Sequence, residues 1–105
     1  MIVTGVGLIN VVEGAGGAQM LNSVQFLTEE TKNPDEGSFW IDKKTIWREE
    51  IHKVVGDDII TTITLHMPDG EIISFEIDPP VRDKVLNMTR QICCIESIVG
   101  ILKQG

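Results

Sequence analysis

The sequence predicts an α+β fold: an antiparallel sheet of four or five strands, a long C-terminal helix packed on one face, and a second, shorter helix. Three observations lead there. Residues 59–77 alternate apolar and polar positions around Pro68-Asp69-Gly70, which is the pattern of a hairpin. Residues 81–102 carry apolar side chains at spacings of four and three, which is the pattern of an amphipathic helix. A chain of 105 residues with 42% hydrophobic content is one domain, 1–105, with one ordinary core.

Taken in order, residues 2–12 are rich in β-branched side chains and read as a strand, with Gly5 and Gly7 marking a bulge or a close backbone approach. Gly14-Ala15-Gly16-Gly17 breaks the chain. Residues 18–30 read as the shorter helix, because Met20, Val24 and Leu27 stand at helical spacing. Pro34 and Gly37 make 32–37 a loop, and 38–41 a short strand. Residues 45–55 fit two patterns. Trp47, Ile51 and Val54 suit a helix, whereas Trp47, Ile51 and Val55 suit one face of a strand. The hairpin connection offered by Gly56-Asp57-Asp58 favours the strand.

In the next hairpin, Pro68 presets φ and Gly70 relieves the turn, so 71–77 returns with Ile73, Phe75 and Ile77 on one face. The last helix is placed over about 80–103, with Asp78 as N-cap and Pro79-Pro80 in the first turn. Its seam is Val81, Val85, Met88, Ile92, Ile95, Val99 and Leu102; Leu86, Cys93 and Ile101 fall away from it as an outer apolar patch.

Charge bears on function next. Nine Lys and Arg stand against sixteen Asp and Glu, a net charge of −7. That balance argues against phosphate-rich partners, so neither nucleic acid nor an anionic membrane is expected. No apolar run reaches the roughly 18 residues of a spanning helix. The N-terminal run lacks a positive region, and the only cysteines are the adjacent Cys93-Cys94, so a cytoplasmic protein is expected.

The acidic residues group in two loops, Asp35-Glu36-Gly37-Ser38 and Gly56-Asp57-Asp58. Carboxylates brought together repel one another, and a hard cation relieves that repulsion. Asp35, Glu36, Asp57 and Asp58 are therefore the candidate ligands for a divalent cation, Ca²⁺ or Mg²⁺, if the loops converge at one end of the sheet. The spacing is not that of an EF-hand, and solvated turns account for the same residues. The alternative function is a protein-interaction module, or weak self-association, through the outer patch of the last helix.

Other features carry less. Gly14-Ala15-Gly16-Gly17-Ala18-Gln19 follows a strand but lacks the third glycine and the lysine of phosphate-binding loops. His52 and His66 have no ligand spacing, Trp40 and Trp47 read as core or core-edge residues, and no catalytic motif is present, so an enzyme is not expected. The run from Asn33 to Trp40, with Gly56-Asp57-Asp58 and Pro68-Asp69-Gly70, resembles the small uncharacterised α+β proteins of methanogenic archaea. The resemblance implies a stand-alone cytoplasmic protein and carries over no functional residue.

Overall fold

The computed structural model describes residues 1–33 and 36–95. It is mostly β. The strands are β1 (Ile2–Glu13), β2 (Gln19–Thr28), β3 (Phe39–Asp42), β4 (Ile46–Val55), β5 (Asp58–His66), β6 (Ile72–Ile77) and the two-residue β7 (Cys94–Ile95); among the described residues the one α-helix is α1 (Arg82–Ile92). They form a single sheet in the order β3-β2-β1-β6-β5-β4-β7. The sheet is mixed, because β1 runs parallel to β6 and β7 parallel to β4. The order amounts to two antiparallel three-strand meanders laid side by side, joined by a parallel seam of two residue pairs, Ile2 with Glu76 and Val3 with Ile77.

This corrects the α+β expectation in three places. Residues 19–28 are a strand, not the shorter helix. Val24, Phe26 and Thr28 alternate into the core, while Met20 and Leu27 stand on the other face, so the helical spacing is incidental. Pairing with β1 then satisfies the backbone that a helix would have satisfied internally. The long C-terminal helix shortens to Arg82–Ile92: Pro79–Val81 form a 3-10 turn without a side-chain cap from Asp78, and Cys93 is extended at ψ 149°. The rest of its expected seam, from residue 96 on, lies outside the described residues. Residues 46–55 are a strand, but its apolar residues do not share one face. A bulge between Trp47 and Glu49 shifts the alternation, so Trp47, Glu50, His52 and Val54 face one way and Ile51 the other.

The sheet curls strongly. Flat, β3 and β4 would stand five strand spacings apart, about 24 Å. Yet the chain crosses from Asp42 to Ile46 in four steps, at most about 14 Å of backbone. The aromatic cluster records the same curl, since Phe39 on β3 and Phe75 on β6 are three positions apart in the sheet but bring their ring centroids to 5.3 Å. Phe26 completes the cluster.

The concave face forms the core. Val3, Val24, Phe26, Ile41, Trp47, Ile63, Leu65, Phe75 and Ile77 are buried there under Val85, Leu86 and Ile92 of α1, which lies against β1, β2 and β3. The opposite face of the β5–β6 hairpin carries Thr62, Thr64, His66, Ser74 and Glu76, as an antiparallel sheet with one solvated face should.

Candidate functional surface

Val3, Thr28, Ile77 and Thr61 stand at one level of the sheet. From that level β1 continues ten residues to Glu13, and β5 is preceded by the three residues back to Asp58. Because β1 parallels β6 and β5 opposes it, both hairpins project at the same end. At about 3.3 Å per residue, the β1–β2 arm reaches roughly 33 Å past this level and the β4–β5 arm about 10 Å. Between them β6 stops at Ile77, where the chain turns away through Pro79–Val81 into α1. Arg82 caps the gap on one side, its guanidinium donating to the Ile59 carbonyl at 3.1 Å.

Both arms carry exposed apolar side chains. Eight of the twelve large apolar side chains exposed among the described residues lie on them: Leu8, Ile9, Val11, Val12 and Met20 on the first, Val54, Val55 and Ile59 on the second. Leu8 is 62% exposed and Val54 73%. Cross-strand pairing places Ile9 with Val24 and Val54 with Ile59 on the face that carries the core, so the core surface continues onto both arms, where Ile9, Val54 and Ile59 are exposed. Charge is unevenly shared: residues 1–28 contain one charged side chain, Glu13.

A side-chain clip ties the base of the first arm. β1 bulges at Gly7 and Leu8 opposite Gln25. The freed Leu8 N–H donates to Gln25 Oε1 at 3.1 Å, and Gln25 Nε2 donates to Ser38 Oγ at 2.9 Å. A Cβ on Gly7 would overlap that amide, so glycine is what admits the clip.

The residues expected to hold a cation are not gathered. Glu36 lies in the loop after β2, beside Glu29, Glu30 and Lys32, where its carboxylate accepts from Asn33 Nδ2 at 3.1 Å. Asp57 and Asp58 lie at the tip of the β4–β5 arm, at the opposite end of the sheet. Asp35 is outside the described residues. Among the described residues no group of three or more His, Cys, Asp or Glu could hold a metal ion. The outer helix patch also changes: Leu86 and Cys93 are buried in the core, and Ile101 is outside the described residues.

Two constellations merit a chemical reading. His52 Nδ1 lies 2.8 Å from Thr61 Oγ1 and His52 Nε2 2.6 Å from Glu50 Oε2, an order of groups that could activate a hydroxyl. Thr61 is 0% exposed, however, so no substrate reaches that oxygen, and the trio serves as a cross-strand tie. Cys93 and Cys94 are both free thiols. Burial, reinforced by Asp42 and Cys94, pushes the Cys93 thiol up to about 12, which keeps it protonated and unreactive at neutral pH. Among the described residues, the hollow between Met1, Glu29, Thr62 and Glu76 is open to solvent.

The arms were missed from sequence because their residues read as an ordinary strand and helix; the available signal was the absence of charge from 1–28 save Glu13. No helix among the described residues is long and apolar enough to cross a membrane. No protein-family model, curated protein or solved structure matches the chain.

Proposed function

We propose that this chain is a protein-interaction module whose binding surface is the pair of apolar hairpin arms. One observation carries the reading: the exposed large apolar side chains concentrate on two arms at one end of the sheet. Scattered apolar residues are normal on a protein surface, whereas a contiguous group suggests a partner. Eight such side chains, most about half exposed, offer an area of the order of the ~800 Å² each partner contributes to a standard interface. The reading includes a cytoplasmic setting, supported by two free cysteines.

The test is photo-crosslinking in the cells that make the protein. A benzophenone amino acid at Leu8 or Val54 is expected to give protein adducts, and one at Ser74 on the open face is not. Absence of adducts from both arm positions would overturn the reading.

A further inference from the structure

We propose that the first arm's occupant is a second copy of this chain, with two β1 strands pairing edge to edge, antiparallel, about a two-fold axis at Asn10. The proposal rests on the interaction reading above and names its partner.

Beyond Val3, β1 pairs with β2 on one side and with no strand of the described residues on the other, because β6 ends at Ile77. The arm outreaches its neighbour by roughly 20 Å at 3.3 Å per residue, so the edge from about Leu8 to Glu13 stands clear of the β4–β5 arm. Exposed strand edges are ready templates for another strand, and proteins usually block them with lysine, proline or bulges. This edge has neither lysine nor proline. Its own bulges, at Thr4 and at Gly7-Leu8, sit at the base; in the outer run the extra residue is Asn22, on β2.

The edge is also self-complementary. With Asn10 opposite Asn10, Ile9 faces Val11 of the other copy and Leu8 faces Val12, so apolar side chains meet on both faces. Glu13 then stands opposite Gly7, and the two Glu13 carboxylates are about 20 Å apart, well beyond the ~8 Å screening length at physiological salt. The net charge of −7 is carried almost wholly outside the arm, which leaves this the surface where two copies meet least repulsion. The isologous contact closes as a dimer with a continuous β2-β1-β1-β2 sheet.

Sedimentation over about 1 µM to 1 mM tests the proposal, with association expected in the micromolar range typical of a small interface. Leu8→Lys with Val11→Lys is expected to weaken association at least tenfold while the circular dichroism spectrum is unchanged. Should that variant unfold, Asn10→Cys with Cys94→Ser decides the matter. Directly opposed residues lie at disulfide distance, so mild oxidation should give a covalent dimer through position 10 and none through Gly16→Cys at the tip. A wild type that stays monomeric at 1 mM, or equal cross-linking at 10 and 16, overturns self-pairing. Benzophenone adducts to other proteins at Leu8 would then leave the interaction reading standing alone.

Discussion

The β5–β6 hairpin and the β1–β2 arm are both antiparallel, both apolar, and differ in what lies over them. In the first, Ile63, Leu65, Phe75 and Ile77 alternate inward under the curl of the sheet and are almost wholly buried. In the second, Ile9 and Val11 continue the same face but remain open to water. Secondary structure alone therefore says little about where stability resides. The covered hairpin holds the fold, and the uncovered arm presents a surface.

The sharpest break of that comparison is Phe75→Ala. The ring meets both Phe26 and Phe39, and its loss is expected to cost about 3–5 kcal/mol in denaturant unfolding. A cost below about 1 kcal/mol would mean the aromatic cluster does not hold the curl.

Alkaline titration probes the covered side in another way. The Cys93 thiol is raised from the ordinary 9.0 to about 12 on folding, so its contribution is complete below about pH 9 and is lost as pH rises toward 12. At about 1.4 kcal/mol per unit, wild type should lose roughly 2–3 kcal/mol between pH 9 and 11 that Cys93→Ala retains. Parallel pH profiles for the two proteins would place Cys93 outside the core.

Gly7→Ala tests the joint between the two regions. The added methyl displaces the Gln25 amide and strands the Leu8 N–H, for an expected loss of about 1–3 kcal/mol. Pairing Gly7→Ala with Gln25→Ala should cost less than the sum of the two, and simple additivity would discount the clip. The smallest effect belongs to the arm itself: Val11→Ala should change monomer stability by less than about 0.5 kcal/mol. A larger loss by chemical denaturation would show the arm packed rather than presented.

Legibility follows the same division. The 58–77 hairpin was readable because burial and alternation coincide there, from Thr61 through Ile77. The face of β4 was not, since one bulge after Trp47 inverts every later side chain. β2 was misread because Met20, Val24 and Leu27 satisfy a helical spacing by chance, while Gln25 and Thr28 are buried polar residues that hide the true alternation. The helix was overdrawn because an apolar seam persists in sequence after the backbone leaves the helix at Cys93. As for the candidate site, Gly56 and Asp57 form a turn and Glu36 to Ser38 a connecting segment, and how far apart these lie depends on strand order, which no local pattern encodes.

The seam between the two meanders has a consequence for how the molecule opens. Only two parallel residue pairs join β1 to β6, and they link positions 74 apart in the chain, whereas each meander is tied internally by long antiparallel ladders. The domain should come apart there first, like a book whose spine is the short Lys43–Thr45 link, with each leaf still hydrogen-bonded. Amide exchange is the measure of it. The Glu76 and Asp78 N–H groups, which donate to Met1 and Val3, should exchange well before those at the centre of β5, and simultaneous exchange would mean the leaves unfold as one.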